Sequence, residues 1–590
     1  MSSKYDKVID FAIRKGILWQ SFEIYGGQAG FYDLGPLGVL LKNNIVELWR
    51  NYFVKQHQDF VVEIETPIIT PSIVLKASGH EENFTDYAVE CLQCHRIYRA
   101  DHLVEERLGI SAEGLSAEEL DKLIKENNIR CPICGGVLGN VHKFLLLFQT
   151  YIGPYSVSNL AYLRPEAAQG MFINFKRVYE LMRRRLPIGI AQIGKVARNE
   201  ISPRQGPIRL REFTIMEIEF FYDDTNPQCE VLYERCSDER INVLTAELRS
   251  RGENRPISVN VVEAFNEKIV LSPWLAYWMC ISKKFVNALG VPDEKMYFEE
   301  KLPSERAHYS KQTFDQIVIV EKLGKLEVSG HAYRHTYDLE RHIAFSKADL
   351  YAVKQLKSPK MLKKKIVKYD KNAIINMFGS KAPLIFKALS TMSSEDLAKL
   401  VEESKEDFVN VGGVEIPKNI LRIETVEENI WIEKFIPHVA EPSFGAERLL
   451  YVVLEYAYSE DGNRIVFRVP KQLAPIKVGI ATLVDREPLE RIAQEIFNTL
   501  KKFYYVQYLE GSSIGKKYAQ ADEIGIPYVI TVDYDSISNR SVTIRDRDSR
   551  KQIRVPIEDI VKVIDLGLKG ENIFALGYPI IEPQTESKEL

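Results

Sequence analysis

The sequence predicts a mixed α/β protein: an α+β core on antiparallel strands, interrupted by insertions and followed by a small α/β domain. The first observation is the run at 188–222, IGIAQIGKVARNEISPRQGPIRLREFTIMEIEFFY. Two strand-like stretches flank a polar loop with Pro203, Gly206 and Pro207, which reads as an antiparallel hairpin. The second is the alternation of strand and helix patterns from KVGIATLV at 477 onward, which argues for a separate, largely parallel sheet. The third is size: 590 residues suggest about four domains, and 45% hydrophobic with 27% charged residues is ordinary for globular cores.

Composition excludes disordered, collagen-like and disulfide-scaffold classes. No apolar run approaches the roughly 18 residues that cross a membrane, and MSSKYDKVID lacks the basic and apolar regions of a secretory signal. A cytoplasmic protein with no membrane partner is therefore expected. With 78 Lys+Arg against 82 Asp+Glu, a net charge of −4 excludes a globally basic nucleic-acid binder but leaves room for local basic patches. Seven cysteines is an odd count, and a reducing compartment disfavours disulfides.

Along the chain, residues 3–16 read as a short helix ending at Gly16. A glycine-rich stretch from Gly26 to Gly38 leads into an amphipathic helix with Leu37, Leu41, Ile45, Leu48 and Tyr52 at helical spacing. FVVEIETP is a strand stopped by Pro67. Residues 91–134 hold two C-x-x-C pairs around a charged helical piece, SAEELDKLIKENN, and look inserted. Strands dominate 143–222 around one helix at 167–184. From about 340 to 408 the chain is lysine-rich and reads as helical, a second insertion. EPLERIAQEIFNTLKKF and SIGKKYAQADEIG are helices between the strands KVGIATLV, YVQYLEG and IPYVITVD. GSSIGKK at 511–517 lacks the spacing of a phosphate loop and reads as a helix start; no G-x-G-x-x-G follows a strand.

The hairpin carries the chemistry. Alternation places Thr214, Met216, Ile218, Phe220 and Tyr222 on one apolar face. Arg211, Phe213, Ile215, Glu217, Glu219 and Phe221 lie on the other, with Arg198 and Glu200 sharing a face of the first strand. Such a face is either an exposed surface with cross-strand ion pairs, each worth about 0.2–1 kcal/mol, or a nucleotide site. Guanidinium suits phosphate, an aromatic ring suits a base, and carboxylates suit an amine or Mg²⁺.

Together these segments resemble the class II aminoacyl-tRNA synthetases. R-N-E at 198–200, the loop and R-E-F at 211–213 look like motif 2. FVVEIETPIITP looks like motif 1, with Pro67 as its dimer-interface proline, and EPSFGAERLL at 441–450 like motif 3. LRPEAAQG at 163–170, RNEISPRQG, REFTIMEIEFF and EPSFG further resemble the glycine-specific branch, the homodimeric archaeal/eukaryotic glycyl-tRNA synthetases, from about residue 18 to 565.

The resemblance implies ATP-dependent activation of glycine to glycyl-adenylate, with ATP and Mg²⁺, and transfer to the 3′ end of tRNA-Gly. The catalytic residues would be Arg198, on the α-phosphate, and Arg448. The ATP site would comprise Arg198, Asn199, Glu200, Arg209, Leu210, Arg211, Phe213, Glu327, Val328 and Arg448, with Phe213 stacked on adenine and Glu327 holding magnesium. Glycine would meet Arg99, Glu166, Glu217, Glu441 and Ser443. No covalent nucleophile is implied. The implied layout is a core start with motif 1 (1–90), a cysteine insertion (91–140) and core with motif 2 (141–340). A lysine-rich helical insertion (341–430), motif 3 (431–470) and an anticodon-binding domain (471–590) complete it.

Cys91, Cys94, Cys131 and Cys134 have the knuckle spacing of a tetrahedral structural zinc site; the other reading is reduced free cysteines. Lys354, Lys357, Lys360, Lys363, Lys364, Lys365 and Lys368 are either tRNA phosphate contacts or a solvated helix face. Two rival functions are a synthetase for alanine, serine or proline, and an inactive paralogue serving as a binding subunit. Glu166, Glu217 and Ser443 together speak against the first, and the retained arginines against the second.

Overall fold

The computed structural model describes residues 3–110, 112, 114–154, 159–203, 206–462 and 464–581; Arg204 and Gln205 of the hairpin loop and the tail after 581 lie outside them. Two compact units result, 1–350 with 437–590, and Tyr351–Ile436.

The first unit is built on a nine-stranded sheet. In spatial order its strands are Ile257–Asn260, Arg240–Leu244, Met296–Glu300, Gln312–Val320, Gly324–His335, His438–Gly445, Glu212–Tyr222, Ile188–Ala197 and Val61–Glu63. Neighbours run antiparallel except at the pairs 188–197 with 61–63 and 240–244 with 296–300. Met216, Ile218, Phe220 and Tyr222 do face the core, packed under the helices Pro36–Phe53, Pro273–Ala288 and Ala446–Ala457. In the first of these the buried stripe is Leu41, Ile45, Trp49 and Phe53; Leu37, Leu48 and Tyr52 flank it half-buried. The expected stripe is thus rotated toward the larger aromatics. Trp49 stacks on Phe53 at 5.2 Å, and Phe53 on Trp278 at 5.8 Å. Rings of this size bury the most apolar area, so they set which face turns inward.

The cysteine-bearing segment has its own small core of Val89, Tyr98, Leu103, Val104, Leu120 and Ile124. The C-terminal sheet runs in the order Val506–Tyr508, Val478–Thr482, Tyr528–Val532, Ser541–Asp546, Gln552–Pro556, Ile580–Ile581. Only its first three strands are parallel; the rest add antiparallel. The expectation of a largely parallel sheet is corrected on that point. Parallel pairing needs a crossover connection of about a dozen or more residues. Only eight residues, holding the short helix Tyr534–Asn539, link Tyr528–Val532 to Ser541–Asp546, and a short turn links that strand to Gln552–Pro556. GSSIGKK does start a helix, with Ser513 capping Ile514–Glu523.

The second unit corrects the lysine-rich segment. Ala352–Tyr369 is a strand, not a helix, paired antiparallel with Leu421–Phe435, and the compact unit spans 351–436 rather than 341–430. Helices Lys371–Phe378, Ala382–Thr391 and Ser394–Glu403 bury Ile374, Ile385, Leu389 and Leu397 beside it. The physical reason is the partner strand. Lys354 and Lys360 meet Glu433, Lys363 meets Glu427, Lys364 meets Glu428 and Lys368 meets Glu424. Lysine's helix propensity is a weak preference that such cross-strand pairing overrides.

Candidate active site

The face of the sheet opposite the helices opens into a cavity of about 550 Å³. Its floor is a row across three strands, where Glu217 pairs with Ser443 and Ser443 with Gly330. A Cβ at Gly330 would meet nothing within 4 Å, so the row opens onto free space. Glu441 sits two residues before Ser443 on the same face.

Of the residues expected from sequence, the cavity brings together Arg99, Glu166, Arg198, Glu200, Arg209, Leu210, Phe213, Glu217, Glu327, Val328, Glu441, Ser443 and Arg448. Asn199 and Arg211 are outside the lining. The Arg211 guanidinium instead donates to the carbonyls of Glu200 (2.8 Å) and Ala29 (2.8 Å), which ties the glycine-rich stretch to the hairpin. Within the loop, Gly206 has φ +58° and lies so near the Tyr5 hydroxyl that a Cβ would stand 2.3 Å from it.

One end of the cavity is basic and aromatic. Arg198 lies between the rings of Phe84 (5.6 Å) and Phe213 (5.4 Å), and its Nε donates to the Pro165 carbonyl at 3.0 Å. Arg209 donates to Glu200 at 2.7 Å. Arg448 lies in the first turn of the helix Ala446–Ala457, where the dipole adds positive potential. It donates to the Glu327 carbonyl at 2.8 Å. Glu447 beside it accepts from the Thr214 backbone N–H at 2.7 Å and the Thr214 hydroxyl at 2.9 Å. One buried carboxylate thus locks the start of that helix to the strand bearing Phe213. Arg99 is held by Asp86 (3.2 Å) and by Asp101, at the mouth.

The other end is acidic and closed. Arg334 is fully buried, with Nε 2.6 Å from Glu441, Nη1 3.1 Å from Asp338 and Nη2 3.1 Å from Glu166. Its guanidinium carbon lies 3.9 Å from the centre of the Tyr309 ring. Burial would raise the Glu166 carboxyl, but Arg334 and His80 outweigh it and hold it well below the ordinary range. Burial pushes Glu217 well above that range, with Glu441 and Glu166 adding to it. Glu217 accepts the Ala167 backbone N–H at 2.9 Å.

Sequence reasoning missed Arg334, Asp315 and Tyr309. Asp315 lines the cavity near Glu327 and is pushed up to about 7 by burial and by the Glu327 charge. Its parity on the strand Gln312–Val320 was the available signal, but only the pairing with 324–335 brings it to Glu327.

The four cysteines Cys91, Cys94, Cys131 and Cys134 converge, each Sγ within 4.8 Å of the others. Cys91 and Cys134 are 3.5 Å apart, and Cys94 and Cys131 3.6 Å. A tetrahedral ion with bonds of about 2.3 Å needs sulfurs about 3.8 Å apart, so the donor set fits zinc.

Comparison with known proteins adds independent findings. The anticodon binding domain family matches residues 477–565. The glycine–tRNA ligase of Aeropyrum pernix is 49% identical over 581 residues, spanning 98% of this chain and 99% of the relative. That of Pyrococcus furiosus is 46% identical over 94% of this chain and 98% of the relative. That of Methanocaldococcus jannaschii is 41% identical over 96% and 99%. Among solved structures, prolyl-tRNA synthetase from Cryptosporidium parvum with L-proline and AMP is similar at a TM-score of 0.48 and 13% identity. The alignment covers 96% of this chain and 76% of that one.

Proposed function

The chain belongs to the glycine–tRNA ligase family, and on that premise we propose how its residues divide the work of activating glycine and charging tRNA-Gly. The enzyme is an aminoacyl-tRNA ligase that uses ATP. The observation carrying the assignment is near-full-length identity of 41–49% to such ligases; the cavity that pairs an arginine-rich end with an acidic pocket supports it.

In the proposed arrangement Phe213 stacks on adenine, and Glu200 faces the adenine amino group. Arg198 grips the α-phosphate with its guanidinium fork. Arg209 and Arg448 hold the distal phosphates. Glycine's ammonium lies among Glu166, Glu217 and Glu441, beside Ser443, and Arg99 stands where the carboxylate or its reaction partner enters. The glycine carboxylate oxygen attacks the α-phosphorus in line, and the bond to pyrophosphate breaks. The terminal ribose hydroxyl of tRNA then attacks the carbonyl carbon and AMP leaves. Catalysis comes from positioning and from guanidinium charge held where negative charge develops, without a covalent intermediate on the protein. Glu327 and Asp315 would hold a magnesium ion, which when bound would supply neutralising charge. Larger amino acids are excluded by the closed acidic end, a steric rejection stronger than the roughly 1–3 kcal/mol of an added methylene.

The cysteine cluster is proposed to hold structural zinc. Residues 477–565 would read the anticodon, and the enzyme would work as a cytoplasmic homodimer. Exposed apolar side chains just after Pro67, Ile69 and Ile73, support the dimer. The lysine ribbon is not assigned a tRNA contact, because glutamates pair with Lys363, Lys364 and Lys368.

ATP–pyrophosphate exchange with each proteinogenic amino acid tests the reading. Exchange with glycine alone is expected. Exchange with another amino acid would overturn the pocket, and none with any would favour a binding subunit.

A further inference from the structure

Behind the pocket floor lies a carboxyl that neither the fold nor the glycine contacts explain. Glu219, one side-chain row below Glu217 on the same strand, is fully buried, and neither of its oxygens accepts a hydrogen bond. Its nearest cation is Arg334 Nε at 3.8 Å. One carboxylate oxygen from each of Glu217, Glu219 and Glu441 lies within 4.8 Å of the other two. Asp338 faces the cluster from the helix Tyr337–Ser346 and Glu166 from the segment preceding Ala168–Leu181.

The charges do not balance. Five buried carboxyls (Glu166, Glu217, Glu219, Glu441 and Asp338) surround one guanidinium, Arg334. His80 stands 3.4 Å from Glu166, with Ser78 on its other nitrogen. Arg164 faces Glu217 from outside the pocket but is engaged by the carbonyls of Thr66 and Lys195. Tyr309 adds a neutral phenol. An ionised carboxylate left unpaired in such surroundings costs so much that it takes up a proton instead. Burial is the largest influence on both Glu217 and Glu219 and pushes each well above the ordinary carboxyl range, as do their acidic neighbours.

We propose that the empty pocket stores protons on the Glu217–Glu219 pair and that glycine binding expels one of them, with Glu219 as the positioning residue that makes the exchange possible. The incoming ammonium brings the positive charge that the cluster lacks. One carboxyl O–H then breaks, its proton leaves to solvent, and the new carboxylate faces the ammonium. No other bond changes. Recognition therefore reads the ligand's charge as well as its size. A neutral isostere of similar shape would pair with nothing and displace nothing. The inference rests on the glycine-pocket reading above and adds the proton count to it.

Titration calorimetry of the full-length protein with glycine, in buffers of different ionisation enthalpy, measures that count. Close to one proton released per glycine is expected near neutral pH. The apparent dissociation constant should then fall nearly tenfold per pH unit as pH rises, since release of a proton favours binding at lower proton concentration. Glu219→Gln should lose most of the released proton, flatten the pH dependence of the glycine KM and leave the ATP KM within twofold. A merely structural role for Glu219 would not move the proton count. Should the variant fail to fold, the native protein's buffer dependence decides alone. Glycine binding with no proton exchange overturns this inference and leaves the pocket assignment standing. Absence of glycine binding together with absence of glycine-dependent exchange overturns the pocket assignment itself.

Discussion

Replacing Arg334 with glutamine removes the guanidinium that joins Glu166, Asp338 and Glu441 while nearly preserving shape. Three charge-assisted contacts at 2.6, 3.1 and 3.1 Å are lost. At about 1.5–3 kcal/mol each, their gross sum is about 5–9 kcal/mol. The orphaned carboxyls take up protons in response, so the net loss should fall near the 3–5 kcal/mol typical of breaking a buried pair. The pH dependence has a definite sign. Glu166 is held below its unfolded value, so its pairing stabilises the fold above the unfolded pKa and is lost as pH falls through the folded one. The deficit of Arg334→Gln should therefore be full at pH 7.5 and shrink below about pH 4.3, the unfolded carboxyl value. Scanning fluorimetry and the half-life of exchange activity at elevated temperature read it, alongside the KM values. The glycine KM should rise at least tenfold, and the ATP KM by less than threefold. Equal stability at pH 7.5 with an unchanged glycine KM would refute the account of Arg334 as the charge that organises the pocket.

Arg198→Ala should abolish glycine-dependent pyrophosphate exchange while leaving tRNA affinity within a few-fold; unchanged exchange would sink its α-phosphate role. Native protein should carry one zinc per chain by metal analysis, lost in Cys131→Ser together with cooperative melting of that small core. Metal-free native protein would count against the cysteine site. Ile73→Asp should shift the sedimentation coefficient toward a monomer, and an unmoved dimer would remove this surface from the interface. Lys364→Ala and Lys368→Ala together should change tRNA affinity less than twofold at physiological salt, because Glu428 and Glu424 already offset those charges; a tenfold loss would restore the ribbon as a tRNA contact.

Much of this was legible where local pattern and tertiary environment agree. The parity of Glu212–Tyr222 sorted core side chains from chemistry-bearing ones, and the strand–helix alternation after 477 marked the last domain. Legibility failed where a residue's role depends on partners far along the chain. Arg334 sits in HAYRH among residues that say nothing of Glu441, brought to it by strand pairing, or of Glu166, brought to it by the fold from the segment before Ala168–Leu181. The ribbon at 352–369 failed for the same reason: its lysines favour a helix in isolation and a strand only beside 421–435. Glu219 was visible on its face, but its lack of hydrogen bonds is a property of the folded interior.

In the arrangement proposed above, the strand His438–Gly445 and the helix that follows it carry Glu441 and Ser443 toward glycine and Arg448 toward ATP. Backbone extends about 3.3 Å per residue in a strand, and this one is clamped on both edges, by 212–222 and by 324–335. The stretch therefore works as a graduated rule, fixing how far the amine anchor stands from the phosphate anchor before either substrate arrives. Substitutions along it adjust the grip on each end, whereas deleting a single residue between Ser443 and Arg448 would re-space the two substrates relative to each other.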